Sequence, residues 1–499
     1  MSVLEGLEPK SVFHFFEEIT KIPRPSYKEE KISRYLVDFA KERHLEHYQD
    51  KLGNVIIIGE ATPGYEKVDP IILQGHMDMV CEKEPDCGID FGKDSLVLKI
   101  EGDEITAEGT TLGGDDGIAI AYALAILDSD SIPHPRLEFM CTVSEEVGME
   151  GAKGIDVSVL KGKKLLNLDS EEEGQMLVSC AGGCRADCIL SAEWKETIGQ
   201  EVSIHVTGLR GGHSGAEIDK GRANANTLMG RVLLELSEVY SYRICTLEGG
   251  SKDNAIPREC KANLLVKKYT GSDKKHTKKS EKRLAKQLAI DVQKIESRIK
   301  KEFSAADPDI QIRVSAGDTV TKKALTKKAG KKAVTLINLM PNGIQRMSDD
   351  IEGLVETSLN LGILSLDEEK LSLRYAVRSS VGTAKEFLVK KMECLVEALG
   401  GTMERAADYP AWEYRKESML REDMIRIYQE MYGKEPRVEA IHAGVECGIL
   451  AGKIQGLDAV SIGPDMSGVH TTEEKLSISS TKRVWEFILK VIASKPDHS

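Results

Sequence analysis

Hydrophobic positions near the start of the chain recur at helical spacing. Val12, Phe13, Phe16 and Ile19 line one face before IPRPS breaks the pattern, and Ile32, Tyr35, Leu36 and Phe39 repeat it, so two amphipathic helices are expected. The texture then shifts to short apolar runs bounded by Gly, Pro or charge: NVIIIGE, PIILQGHMDMV, RLEFMCTVSEE and KKLLNLDSEEE, with helical stretches such as GIAIAYALAIL among them. Continuous apolar strands alternating with helices predict an α/β sheet covered on both faces. In such sheets functional side chains gather beyond the carboxyl ends of strands. His76 and Asp78, Glu145 and Glu146, and Asp169 all fall at such places.

From about residue 187 the runs alternate instead: EVSIHVTGL, CKANLLVKKY, QIRVSAG and LSLRYAVRSS, mixed with helices such as ANTLMGRVLLELSEVY. This predicts a separate α+β unit. Within it, the lysine-rich segment 267–301 carries Leu284, Leu288, Val292, Ile295 and Ile299 at helical spacing and reads as a helix with a solvated basic face; no motif explains a function for it. SMLREDMIRIYQEMYG reads as a helix, after which α/β character returns through GLDAVSIGPDMSGVHTTEEKLSISS. The expected organisation is an α/β domain in two parts, 1–186 and 413–499, interrupted by an inserted α+β domain over 187–412. A length of 499 residues, more than one hydrophobic core usually serves, agrees with two domains.

Composition narrows the function by exclusion. A net charge of −13 works against attraction to phosphate backbones, so no nucleic-acid partner is expected. No apolar stretch approaches the roughly 20 residues that span a bilayer, so no membrane role is expected either. The first residues lack a basic start, an apolar core and a small-residue cleavage site, and a cytoplasmic location is expected. Ten scattered cysteines are then read as reduced thiols. Cys180, Cys184 and Cys188 have a C-x3-C-x3-C spacing that fits neither zinc ribbons nor common iron–sulfur patterns and is read as structural.

Chemistry is concentrated in five short words: GHMDMV at 75–80, TLGGDDG at 111–117, SEEVG at 144–148, LDSEEEG at 168–174 and GVHTTEE at 468–474. A lone histidine at a strand end is more often a hydrogen-bonded core residue than a ligand. Five acid or histidine sites together supply the carboxylate and imidazole donors that divalent zinc, manganese and cobalt accept. Asp78, two positions after His76 on the same side of a strand, is placed to orient its imidazole. Adjacent Glu145 and Glu146 must differ in role, since a carboxylate held by a cation serves poorly as a proton carrier; the bland reading of the pair is an acidic helix start.

In order along the chain, these words together with GLRGGHSG, DNAIPRE and AIHAGVECGIL resemble the M20 family of metallopeptidases, most closely its Xaa-His dipeptidase branch. The resemblance implies a zinc-exopeptidase-like fold, with the two-part domain catalytic and the inserted one a lid or dimerisation domain, and two divalent ions, zinc first, with manganese and cobalt as alternatives. It assigns His76 and Asp169 to one ion, Glu146 and His470 to the other, and Asp115 to both, with an attacking water polarised between them. Asp116 stands where dipeptidase relatives often have Asn; Asp115 is preferred as the shared ligand because it holds the family's place in TLGGDDG. Glu145 takes the role of general base, and His213 that of a donor to the developing oxyanion, reaching a neighbouring subunit's site in relatives and so implying a homodimer. Asn254 and Arg378 are candidates to grip the substrate carboxylate, as are the backbone amides at Gly444, while His442 beside it is as readily structural. The implied activity is hydrolysis of unblocked dipeptides. Deacylation of N-acyl amino acids, or a non-catalytic binding role on the same fold, are the alternatives.

Overall fold

The computed structural model describes residues 2–267 and 278–495. The chain divides into two compact units, one formed by Met1–Cys180, Tyr414–Ala440 and Val445–Ser499, the other by Ala181–Glu413 and Ile441–Gly444.

In the first unit the two leading helices are Lys10–Thr20 and Glu30–Glu42, and they bury the expected stripes, with Tyr35 alone half-buried. Its main sheet has eight strands in the spatial order Glu46–Gln49, Val55–Gly59, Leu137–Thr142, Ile71–His76, Lys164–Asn167, Asp458–Ser461, Gln175–Cys180 and Arg437–Ile441. The middle four run parallel; Val55–Gly59 and Glu46–Gln49 extend the sheet antiparallel. Val55–Gly59, Ile71–His76 and Leu137–Thr142 are buried along their whole length, which is why they read as continuous apolar runs rather than alternating ones. The helix Gly114–Leu127 is apolar on every side and correspondingly buried from Ile118 to Leu127.

The second unit is built on a nine-stranded sheet. Eight strands follow the order Gln311–Leu325, Trp194–Thr207, Cys260–Lys267, Ser241–Gly249, Val355–Leu366, Lys370–Ser379, Gly182–Ser191 and Thr402–Tyr409, and Gly343–Met347 pairs with Val355–Leu366. Its pairings are antiparallel, and strands such as Gly182–Ser191 alternate buried and half-buried positions, the pattern expected of a one-sided sheet. Cys184 and Cys188 point into its core, and all ten cysteines are free thiols. Residues 268–277 of the lysine-rich segment lie outside the described residues. From Lys278 to Glu302 the segment is one helix that buries Leu288, Val292, Ile295 and Ile299, with Lys282, Lys286 and Lys294 exposed. Among the described residues no helix is long and apolar enough to cross a membrane.

Candidate metal centre

Parallel strands bring their carboxyl ends to one edge of the first unit's sheet, and the acid and histidine words lie along that edge. His76 is the last residue of its strand, Glu145 and Glu146 occupy the turn after Leu137–Thr142, and Asp169 lies two residues past Asn167. Asp115 enters from the first turn of Gly114–Leu127, whose abrupt start uses Gly113 in the left-handed region at φ +68°. His470 comes from the loop before Lys475–Ser477.

The side chains converge. Nε2 of His76 lies 2.9 Å from Oδ1 of Asp115 and 3.5 Å from Oδ1 of Asp169. Nε2 of His470 lies 3.1 Å from Oδ2 of Asp115 and 3.0 Å from Oε2 of Glu146. Asp115 therefore faces one imidazole with each carboxylate oxygen. Donor atoms of His76, Asp115 and Glu146 fall within 4.8 Å of one another, as do those of His76, Asp116 and Asp169. Asp116 has another use: its Oδ2 accepts the backbone N–H of His76 at 3.0 Å, and a Cβ on Gly75 would collide with that oxygen.

The donor set is short of positive charge. Burial pushes the Asp169 carboxyl up to about 6, with His76 opposing and Asp115 and Glu146 adding to the rise. Asp116, fully buried beside Asp169, is pushed well above the carboxylate range. Asp115 is held low despite burial because it accepts hydrogen bonds from His470 and His76. Two imidazole nitrogens and at least three carboxylates crowded in a largely buried space match divalent cations in both donor type and charge.

Asp78 organises the surroundings. It is fully buried, and its carboxylate accepts the backbone N–H of Glu145 at 3.0 Å, that of Glu146 at 3.3 Å and the hydroxyl of Ser26 at 2.8 Å. Nδ1 of His76 is 3.4 Å from the same carboxylate and 3.1 Å from the Asp78 carbonyl oxygen, so Asp78 holds the Nδ1 side of the ring and Nε2 faces Asp115 and Asp169. Glu145 is not a helix start: residues 145–148 form a turn and the next helix begins at Glu150. Burial pushes its carboxyl well above the usual range, with His76 opposing and the carboxylates of Asp169, Glu446 and Glu146 reinforcing.

Three buried charged residues that the motifs did not single out support this arrangement. Glu474 accepts the backbone N–H groups of Leu112, Gly113 and Gly114 at 2.7–3.0 Å, with Asp115 at 3.4 Å. The Arg24 guanidinium donates to the carbonyls of Met77, Asp78 and Gly113. Glu446 accepts from Gln74 at 2.6 Å and Thr142 at 2.7 Å, and burial pushes it up to about 7. Each sits inside a quoted word, GVHTTEE, IPRPS or HAGVECG, yet their partners are backbone groups or distant side chains that no spacing reveals.

The remaining predicted residues lie in the second unit. Nδ1 of His213 accepts the N–H groups of Gly215 and Ala216 at 3.3 and 3.0 Å, which leaves its Nε2 as the donor. Burial and the Arg378 charge lower its pKa, favouring the neutral ring. Nη1 of Arg378 donates to the Tyr409 hydroxyl at 3.1 Å while its buried Nε has no hydrogen-bond partner among the described residues. A Cβ at Gly215 would sit 3.0 Å from the His213 ring and 3.1 Å from Arg378 Nε, so glycine lets the two stand together. Gly444 packs on Tyr409, where a Cβ would lie 2.6 Å from the ring. Asn254 is exposed, with its carbonyl accepting the Ser214 N–H at 2.8 Å. His442 is buried, its Nε2 2.7 Å from the Ser358 hydroxyl.

Comparison with known proteins agrees with this layout. Residues 204–293 match the peptidase dimerisation domain of the M20 group. The cytosol non-specific dipeptidase of Escherichia coli K12 is 35% identical over 500 residues, covering 99% of this chain and all of that protein. The crystal structure of aminoacylhistidine dipeptidase from Vibrio alginolyticus superposes with a TM-score of 0.88 at 33% identity over 99% of each chain. Aminopeptidase PepT from Bacillus cereus, at 17% identity and a TM-score of 0.55 over 98% of each chain, shares the fold. Similarity of that extent, end to end, means that the chain belongs to the M20 metallopeptidase family, in the branch of the cytosol non-specific and Xaa-His dipeptidases.

Proposed function

We propose that this protein is a dinuclear metal dipeptidase that hydrolyses unblocked dipeptides. The observation that carries the reading is the meeting of His76, Asp115, Glu146, Asp169 and His470 on one small volume, with Asp115 touching both histidines. His76 and Asp169 would hold one ion, Glu146 and His470 the other, and Asp115 both; zinc suits the donors, and manganese and cobalt accept them too. When bound, such a pair supplies Lewis acidity to the amide carbonyl and makes a water nucleophile available near neutral pH.

The chain's own groups supply the rest. Glu145, raised in pKa and free of helix structure, takes a proton from the attacking water and delivers one to the leaving amine. Asp78 fixes the His76 ring and the backbone of Glu145. Nε2–H of His213 suits an oxyanion, and Arg378, with an unsatisfied buried Nε, suits the substrate carboxylate beside the amides near Gly444 and the Asn254 turn. The match to a dimerisation domain supports a homodimer in which His213 serves the neighbouring copy. The name of the Escherichia coli relative supports a cytoplasmic location.

The test is turnover by zinc-loaded protein of Ala-His and Gly-Gly beside N-acetyl amino acids. Hydrolysis of the unblocked set is expected. Turnover of the acetylated set alone assigns the protein as a deacylase, and turnover of neither assigns it a binding role.

A further inference from the structure

Three segments carry the central ligands: the strand end at His76–Asp78, the helix start at Gly113–Asp115, and the loop bearing His470. They are far apart in sequence, and two buried ionisable side chains tie them together. Arg24 is 1% exposed; Nη1 donates to the carbonyls of Met77 at 3.2 Å and Asp78 at 3.1 Å, and Nη2 donates to the carbonyl of Gly113. One planar guanidinium thus bridges the first segment to the second. The Arg24 carbonyl accepts the Met79 N–H at 3.1 Å, and Ser26, two residues on, donates to Asp78, so the backbone around Arg24 is itself fastened to the first segment.

Glu474 makes the second tie. It is 3% exposed, four residues from His470, and its carboxylate collects the amides of residues 112–114 with Asp115 at the limit of reach. It fixes the third segment to the second. Both ties converge on Gly113: Arg24 takes its carbonyl and Glu474 takes its N–H. The neighbourhood makes room for this, since a Cβ on Gly117 would lie 2.8 Å from Arg24 Nη2. Burying an arginine and a carboxylate is costly compared with filling the same volume with apolar side chains. What they add is a fixed spacing between backbones that must present His76, Asp115 and His470 together.

We propose that Arg24 and Glu474 are positioning residues that set the mutual spacing of the three ligand-bearing segments and thereby the affinity of the centre for its cations. The proposal rests on the metal-centre reading above and extends it to two residues that touch no ligand atom. Removing either tie keeps every ligand residue but lets one segment drift, so the loss falls on the shared ligand Asp115 and on whichever ion depends on it more.

The experiment measures zinc affinity by competition with a chromogenic chelator, together with thermal unfolding of metal-free protein, for wild type, Arg24→Lys, Glu474→Gln and Gly117→Ala. Wild type is expected to bind two zinc ions per chain; if it binds none, the metal-centre reading fails before this proposal is reached. For Arg24→Lys and Glu474→Gln, the weaker zinc affinity is expected to fall about tenfold or more, in the range of lost outer supports, while the metal-free melting temperature moves by only a few degrees. Gly117→Ala, which crowds the guanidinium without removing its charge, is expected to show a smaller loss of the same kind and decides the matter if Arg24→Lys does not fold. Zinc affinities within about twofold of wild type in Glu474→Gln and in the folded Arg24 or Gly117 variant overturn the proposal. So does a fall in affinity that merely tracks a large fall in metal-free stability, which assigns the pair to the fold alone.

Discussion

The Asp78 oxygen that accepts the backbone N–H of Glu145 at 3.0 Å also lies 3.4 Å from Nδ1 of His76. One carboxylate thus joins the residue proposed to move protons to a residue proposed to hold a cation. Displacing either displaces the other, and the two functions cannot be tuned independently at this position.

Asp78→Asn keeps the size of the side chain but replaces one of its two acceptor oxygens with an NH2 donor, so either the oxygen shared by the Glu145 N–H and His76 or the one that accepts from Glu146 N–H and Ser26 is lost. Metal affinity is expected to fall about 10- to 100-fold, with kcat falling as well even when zinc is saturating. Chelator competition and steady-state kinetics on the same preparation check both effects; full activity in excess zinc would show that Asp78 acts through metal retention alone.

Glu145→Gln removes the proton carrier without removing a ligand. A loss of about 10²- to 10⁴-fold in kcat is expected, with bound metal per chain unchanged by elemental analysis. Loss of metal in step with activity would instead place Glu145 among the ligands.

Arg378→Lys retains a charge but loses the planar fork that meets a carboxylate with two donors. KM for Gly-Gly is expected to rise by about tenfold or more with little change in kcat, the size of one charge-assisted hydrogen bond. A dipeptide amide, which has no terminal carboxylate, is expected to be turned over equally by both proteins. If the substitution weakens both substrates alike, Arg378 acts elsewhere.

His442 offers a pH test in the second unit. Burial, with the Arg378 charge adding, pushes its pKa from 6.5 down to about 4. The unfolded chain then binds more protons than the folded one between those values, so stability is whole above about pH 6.5, falls as pH drops, and levels off near pH 4. The loss over that window is about 3 kcal/mol, and the partly buried His213, also lowered, acts in the same direction. Urea midpoints for wild type and His442→Gln across this range check it: the variant is expected to show the shallower slope.

Much of the first unit was legible because its strands are buried on both faces and end in polar words. His76 closing PIILQGH, or Asp169 following KLLN, can be placed at a strand end from hydrophobicity alone. The amphipathic helices Lys10–Thr20 and Glu30–Glu42 were readable from their stripes for the same reason. Choosing among the acids is harder, since only family resemblance favours Asp115 over Asp116; in the structure Asp115 faces two histidines, and Asp116 accepts the His76 N–H. Arg24, Glu474 and Glu446 escaped notice because their bonds run to backbone groups or to side chains hundreds of residues away. Tyr409 escaped because its value lies in touching Arg378 and in the two glycines, Gly183 and Gly444, that accommodate its ring.

The strand Asp458–Ser461 lies inside the first unit's sheet, parallel to Lys164–Asn167 on one side and antiparallel to Gln175–Cys180 on the other. During synthesis, the gap it fills stays open until residues 458–461 have left the ribosome, nearly 300 residues after Lys164–Asn167, leaving two unpaired edges ready to recruit other strands. A chain stopped short of this point is therefore a candidate for aggregation or disposal and not a partly active hydrolase. Peptide-cleaving capacity arrives only once this late strand has been made.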